Sequence, residues 1–245
     1  MTGGAPELAG QTVVVIGGSA GIGLETARAA RAEGADVVLT ARNPERLERA
    51  GREVGARSTA AFDAGDFDRV ASFFAELDEP IDHVLVTAGG PYYAPLQEVD
   101  FAEARRNLDA HLLLPIHIAR ELAGKLPAGG SLLFVSGTGA RRPGVGLGLM
   151  TAVTMATPAL IANLAIEIAP IRVNLIAPGF VATPLSASLL GDQLDARRDE
   201  LRATLPIGRV VGPVDVARLA VHLMANTALT GATYDIDGGQ QLVAR

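Results

Sequence analysis

Gly17, Gly21 and Gly23 stand at GxxxGxG spacing, directly behind the β-branched, uncharged run Thr12–Ile16 and directly ahead of a stretch with helical periodicity. Glycines so placed do one kind of chemistry well, which is to hold phosphate. The missing side chains let a diphosphate approach the backbone, and free N–H groups at a helix N-terminus point at it. The helix reads from LETARAARAEG, with Thr26, Ala27 and Ala30 on one face and Glu25, Arg28 and Arg31 on the other. The plainer alternative is an ordinary strand-to-helix turn with surplus glycines. The strand–turn–helix setting favours nucleotide binding.

A second group that bears on the ligand is Arg42. Asp36–Thr40 reads as the next strand, and a dinucleotide with a free ribose 2′-hydroxyl calls for an acid at its end. That end reads Ala41-Arg42, with no carboxylate and with a guanidinium able to clamp a 2′-phosphate. A solvated loop arginine is the plain alternative. The missing acid tips the choice to NADP(H) over NAD(H).

The elements that must position these residues follow in regular alternation. Ser58–Phe62 reads as a strand ended by Asp63-Ala64, and Phe67–Leu77 as a helix with Val70, Phe73, Phe74 and Leu77 inward. Ile81–Thr87 is a strand running into Ala88-Gly89-Gly90-Pro91, with Tyr92 and Tyr93 on the loop beyond. Phe101–Leu126 reads as helical with a break near Pro115, Ser131–Ser136 as a strand, and Met150–Ala169 as a very apolar helix. Ile171–Ile176 is a strand ended by Ala177-Pro178-Gly179; residues 184–209 are mixed and partly helical, a candidate substrate lid. A helix over Val214–Met224 and a strand over Ala232–Ile236 close the pattern. Strand–helix alternation without a linker or repeat predicts one domain over residues 1–245, an α/β doubly wound parallel sheet with helices on both faces.

Composition narrows the function. A chain of 245 residues that is 49% hydrophobic suits one large α/β domain, and its net charge of −6 argues against nucleic acid as a partner. There is no cysteine, so disulfides, thiol chemistry and cysteine-ligated metals are excluded, and no metal site is expected. The opening MTGGAPELAG lacks the charged and apolar parts of a leader, which fits a cytoplasmic protein. No unbroken apolar run reaches the ~20 residues of a membrane span; Met150–Ala169 is interrupted by Asn163 and Glu167. Lys125 is the sole lysine.

The chain resembles the short-chain dehydrogenase/reductase family over essentially its full length. The resemblance rests on IGGSAGIG at Ile16–Gly23, Asp63-Ala64, VTAG at Val86–Gly89, IRVNLIAPGFVATP at Ile171–Pro184, GRVVGPVDVARLAVHLM at Gly208–Met224 and TGATYDIDGG at Thr230–Gly239. It implies a single-domain Rossmann fold with a seven-stranded sheet, a nicotinamide cofactor across the strand ends, a small-molecule substrate, and a homodimer or homotetramer. It further implies that Gly17, Ser19, Ala20, Gly21, Ile22 and Gly23 cradle the pyrophosphate, and that Arg42 meets the 2′-phosphate. Asp63 and Ala64 then contact adenine, Ala88, Gly89 and Gly90 line the ribose, and Pro178, Gly179, Val181 and Thr183 hold the nicotinamide end.

The family's proton chemistry uses a tyrosine, a lysine four residues on, a serine and an asparagine. Counting back from AIEIAP at Ala165–Pro170 puts the tyrosine position on Met150, the lysine position on Thr154, the serine position on Gly137 and the asparagine position on His111. None of the four is kept. A thioether transfers no proton at neutral pH, and Thr154 has no charge to lower a phenol's pKa. Two readings compete. One is an oxidoreductase with an atypical active site, acting on a small, apolar carbonyl or alkene. Its catalytic candidates are Tyr92, Tyr93, His111 and Ser136, with a hydroxyl also at Thr138. The other is a catalytically silent NADP(H)-binding or assembly subunit. The plain alternative for Tyr92 and Tyr93 is apolar pocket lining, and for His111 a satisfied buried histidine. Arg141 and Arg142 either attract an anionic substrate or are simply solvated.

Overall fold

Thr12–Ile16 forms strand β1 with all five residues buried, as a β-branched run covered on both faces should be. The computed structural model describes residues 7–77 and 80–243, so the first six residues of the opening segment lie outside it. The remaining strands are β2 (Asp36–Ala41), β3 (Ser58–Ala61), β4 (His83–Val86), β5 (Ser131–Val135), β6 (Arg172–Pro178) and β7 (Thr233–Ile236). They form one parallel sheet in the order β3-β2-β1-β4-β5-β6-β7. The order reverses between β1 and β4, which opens a crevice at their carboxyl ends.

The expected doubly wound architecture is present. Helices α1 (Gly21–Ala32), α2 (Pro44–Val54) and α9 (Pro213–Ala225) cover one face; α3 (Phe67–Glu76), α5 (Leu114–Leu122) and α6 (Gly148–Glu167) cover the other. The period-two geometry of the strands divides the core. Val13, Val15, Leu85 and Leu133 face Ala27, Ala30 and Val216, whereas Val14, Val84, Leu132 and Phe134 face Phe73, Ile118 and Ile161. Asn43 caps α2 through the Arg46 N–H at 2.8 Å, and Gly55, at φ 67°, ends it.

The predicted helical stretch 101–126 divides. Helix α4 (Phe101–Leu108) runs into a π segment, Asp109–Leu113, which hands over to α5. Pro115 has no N–H with which to bond the carbonyl four residues back, so the wider turn falls just ahead of it. Helix α6 is the one helix, among the described residues, long and apolar enough to cross a membrane. It buries Met150, Val153, Ile161 and Leu164 and leaves Met155 and Ile166 exposed. The 184–209 stretch forms α7 (Pro184–Leu190) and α8 (Leu194–Thr204).

The end of the sheet away from the crevice is fastened by buried polar groups. The Arg172 guanidinium donates to the carbonyls of Gly129, Leu223 and Met224 at 3.0, 2.6 and 2.6 Å, satisfying the last turn of α9. His83 bonds Ser131 Oγ at 2.9 Å and Gln11 Oε1 at 2.8 Å. Burial, and secondarily the charge of Arg172, pull its imidazole down to about 4.

Candidate functional site

β1 ends in the glycine turn, and the turn is shaped around close approach. Gly17 sits at φ 97°, and a Cβ built on it would lie 2.5 Å from Thr87 Oγ1. A Cβ on Gly23 would lie 2.3 Å from the Gly17 carbonyl oxygen. Thr87 holds the turn by donating to Gly17 O at 3.1 Å. Helix α1 begins at Gly21 with no side-chain cap at Ala20 and no acid in its first turn. A glycine cradle opening on an uncapped helix N-terminus fits the diphosphate of a dinucleotide. Ser19, Ala20 and Ile22 lie within this turn and first helical turn.

The neighbouring strand ends complete the crevice. Arg42 follows β2, is exposed, and makes no hydrogen bond or ion pair among the described residues. Asp63 folds back on its own loop, accepting from the Gly65 N–H at 2.9 Å, and Ala64 beside it is buried. Past β4, Gly89 takes φ 105° and Gly90 accepts from Asn107 Nδ2 at 2.8 Å. Ala88 is partly buried against the core.

The π segment delivers His111 to this loop. A Cβ on Gly89 would lie 3.5 Å from His111 Cε1 and 3.8 Å from Nε2, so the imidazole faces the glycine. Its Nδ1 bonds the Asn107 carbonyl at 2.9 Å. A carbonyl only accepts, so Nδ1 carries the proton and Nε2 is a bare acceptor in the neutral ring. Burial holds the imidazole below its usual pKa, outweighing the upward pull of the Asn107 carbonyl.

The two tyrosines differ. Tyr92 Oη accepts the Asp100 N–H at 2.7 Å, while Asp100 caps α4 through the Ala102 N–H at 2.7 Å. The Tyr92 phenol thus fastens the loop to α4. Tyr93 is half-exposed, and partial burial of its ring pushes the phenol pKa up.

On the β5 side, the Ser136 and Thr138 hydroxyl oxygens are both buried without a partner. Between them, a Cβ on Gly137 would meet only Pro178 O, at 3.6 Å. Met150 is buried in a small apolar cluster with Ala140 and Val153, and Leu108 packs against it. Thr154 turns its hydroxyl back to Met150 O at 2.6 Å. Neither Arg141 nor Arg142 is left to a substrate: Arg141 grips Asp235 through two bonds of 2.5 and 2.7 Å, and Arg142 binds the carbonyls of Gln241 and Val243.

The β6 end supplies the last wall. A Cβ on Gly179 would lie 2.6 Å from Gln240 Oε1, which accepts the Phe180 N–H at 2.9 Å. Val181 bridges Val211, and Thr183 caps α7 in a reciprocal pair with Ser186. Gly21 lies opposite Thr183, whose Cβ is 3.5 Å from a Cβ built on the glycine. Thus the structure brings Gly17–Gly23, Ala88–Gly90, His111 and Pro178–Thr183 around one crevice, with Arg42 and Asp63 at flanking strand ends. Thr87, Asn107 and Gln240 hold these pieces together and were not singled out in the sequence, because each acts through a partner far along the chain. Among the described residues, no group of three or more His, Asp or Glu side chains is placed to hold a metal ion.

A family model described as Enoyl-(Acyl carrier protein) reductase matches residues 17–241. A relative named Short-chain dehydrogenase/reductase ATR9, from Stachybotrys chlorohalonatus, is 28% identical over 249 residues, spanning 96% of this chain and 98% of the relative. The solved structure of the MalC reductase/Diels-Alderase from Malbranchea aurantiaca superposes with a TM-score of 0.89 at 27% identity, covering 98% of this chain and 99% of that one. The crystal structure of BdcA in complex with NADPH superposes with a TM-score of 0.84 at 28% identity, covering 95% of both chains.

Proposed function

This chain belongs to the short-chain dehydrogenase/reductase family, and from that premise we propose that it is an NADP(H)-dependent oxidoreductase with an atypical active site, acting on a small, apolar carbonyl or alkene. The observation that carries the cofactor is the glycine cradle. Cβ atoms on Gly17, ahead of α1, and on Gly23, in its first turn, would fall within 2.5 Å of their neighbours, and no side chain caps that helix start. Gly17, Ser19, Ala20, Gly21, Ile22 and Gly23 hold the diphosphate in this reading. Asp63 and Ala64 meet the adenine, Ala88–Gly90 the ribose, and Pro178, Gly179, Val181 and Thr183 the nicotinamide. The unpaired Arg42 and the NADPH held by BdcA support the phosphorylated cofactor.

The bound cofactor supplies hydride; this chain's residues position the acceptor and manage the proton. With His111, Gly137, Met150 and Thr154 at the positions the family gives to Asn, Ser, Tyr and Lys, no phenol–ammonium pair is available. Catalysis then rests on placement, with Tyr92, Tyr93, His111 and Ser136 as the polar groups nearest the reacting end. Helices α7 and α8 act as the substrate lid, and the exposed Met155 and Ile166 of α6 suit a homodimer or homotetramer.

The experiment is a fluorescence titration with NADPH and NADH, followed by turnover with a panel of ketones and enones. Saturable NADPH binding, tighter than NADH, together with NADPH oxidation above the protein-free rate, is the expected result. Tighter NADH binding removes the Arg42 argument. A second reading draws on the packing of Met150 against Ala140 and Val153, which suits a silent binding subunit. NADPH binding with no turnover across the panel would select it.

A further inference from the structure

Resting on the oxidoreductase reading, we infer that His111 is the acid–base catalyst of a carbonyl–alcohol couple: its Nε2 takes the hydroxyl proton when a small, apolar secondary alcohol is oxidised, and the Ser136 and Thr138 hydroxyls hold the alcohol oxygen. The π segment sets this up. His111 Nδ1–H is spent on the Asn107 carbonyl at 2.9 Å, which fixes the tautomer and leaves a lone pair on Nε2. The Cε1–Nε2 edge faces the Gly89 loop, 3.5 and 3.8 Å from a Cβ built on that glycine. A nitrogen held in this way takes a proton and offers none.

Strand β5 brings two proton-bearing oxygens to the same side of the sheet. Its ladder with β6 continues past Val135, with the Ser136 and Thr138 amides donating to Ile176 O and Pro178 O at 2.9 and 2.8 Å. Side chains alternate along a strand, so Ser136 and Thr138 fall on the face of Leu132 and Phe134. That face is covered by α6 and by α5, into which the π segment runs. Thr138 is fully buried, and neither hydroxyl oxygen has a partner among the described residues. Buried hydroxyls are normally paired. A substrate oxygen completes the set, accepting from the two hydroxyls and donating to Nε2.

In oxidation, the carbinol carbon loses its hydrogen, with the bonding pair, to the oxidised nicotinamide ring. The O–H pair becomes the second bond of the carbonyl, and the proton goes to Nε2 and from there to solvent. Ketone reduction is the reverse and needs the imidazolium. Burial disfavours that cation and holds the imidazole below its ordinary 6.5. At neutral pH the site therefore has a ready base and a scarce acid, and its residues serve alcohol oxidation.

Few other groups compete for this role. On α4, Glu103, Arg105 and Arg106 are exposed, and Glu103 accepts from Arg106. On α5, His117 is tied to Phe67 O and Arg120 to Glu121. Helix α6 carries no ionisable side chain before Glu167. Asp109 on the π segment itself and Tyr92 and Tyr93 on the facing loop remain. Ordinary carboxylates and phenols change charge outside the interval in which a histidine does, and burial pushes the Tyr93 phenol further up.

The test joins spectroscopy to kinetics. Without cofactor, the His111 ring followed by proton–nitrogen NMR should show Nδ1 as the protonated nitrogen and should titrate below 6.5. With NADP⁺ and 1-tetralol, kcat/KM should rise with pH through that same value. With NADPH and 1-tetralone it should fall through it. His111→Gln should abolish the inflection and lower tetralol oxidation by about 10²–10⁴-fold. Imidazole in the buffer should restore oxidation to His111→Ala, and retained NADPH binding shows that each variant is folded. Ser136→Ala and Thr138→Val should each lower kcat by about tenfold or more and leave the inflection in place. Unchanged tetralol oxidation in His111→Gln, or an inflection that does not match the NMR titration, overturns the proposal and leaves the oxidoreductase reading standing. So does reduction of cyclohexenone with tetralol and tetralone both untouched. NADPH binding with no turnover of any of the three removes the oxidoreductase reading itself.

Discussion

The hydroxyl of Thr87 donates to the carbonyl of Gly17 across 3.1 Å and fills the space that a Cβ on Gly17 or Gly23 would require. The phosphate turn on β1 is therefore set by the residue that follows β4, the neighbouring strand across the crevice. Gly23→Ala should lower NADPH affinity by about 100-fold or more, because the methyl displaces the Gly17 peptide from the diphosphate path. Fluorescence titration reads this directly, and a far-UV spectrum like that of the wild type separates lost binding from lost fold.

Arg42 stands at the end of β2 without a partner among the described residues. Arg42→Ala should weaken NADPH by about 10–100-fold, the scale of one lost charge-assisted phosphate clamp, and leave NADH nearly unchanged. The ratio of the two dissociation constants is the measurement. An equal loss for both cofactors would mean that the guanidinium does not meet a 2′-phosphate.

Gly137→Ser, Met150→Tyr and Thr154→Lys together should raise ketone reduction by about 10²–10⁴-fold over the native chain. Gly137 accepts a side chain easily, since only Pro178 O lies near, at 3.6 Å. Position 154 is 3% exposed, so a lysine there is costly unless it finds partners. Stability should fall by about 1–3 kcal/mol, visible in a urea melt. Steady-state kinetics with a ketone panel checks the gain.

His83 gives a pH dependence with a definite sign. Its folded pKa of about 4 lies below the ordinary 6.5, so the unfolded chain binds the extra proton more readily. The stability that depends on a neutral His83 is fully present above pH 6.5 and is lost as the pH falls toward 4. The loss should total about 3 kcal/mol. His83→Gln should flatten this slope in urea unfolding measured across the same range. His111, also depressed by burial, adds a smaller contribution of the same sign.

Much of this was readable in the residues. The buried face of α1 is Thr26, Ala27 and Ala30, as the helical spacing predicts, because the small side chains that fit against a sheet are spaced at its period. The cofactor crevice was readable because glycine turns and strand ends are local. What could not be read was which side chain spends its polar group on what. Tyr92 reads in the sequence as a catalytic candidate or as apolar pocket lining, yet its oxygen accepts from a backbone amide eight residues on. Arg141 reads in the sequence as either an attractor of anions or a solvated charge, yet it bonds Asp235, 94 residues away. The π segment depends on the missing amide of Pro115 together with packing on the Gly89 loop, and no residue pattern announces that combination. Strand β6 runs two residues beyond its apolar core, to Pro178, because β7 arrives to pair with it.

The grip of Arg141 and Arg142 on Asp235, Gln241 and Val243 spans 94 to 101 residues of chain. In time, that makes one wall of the crevice wait for residues made 94 to 101 positions later. A ribosome must deliver residue 243 before the loop after β5 can be pinned, so a nascent chain that has already folded its first five strands still lacks a finished pocket.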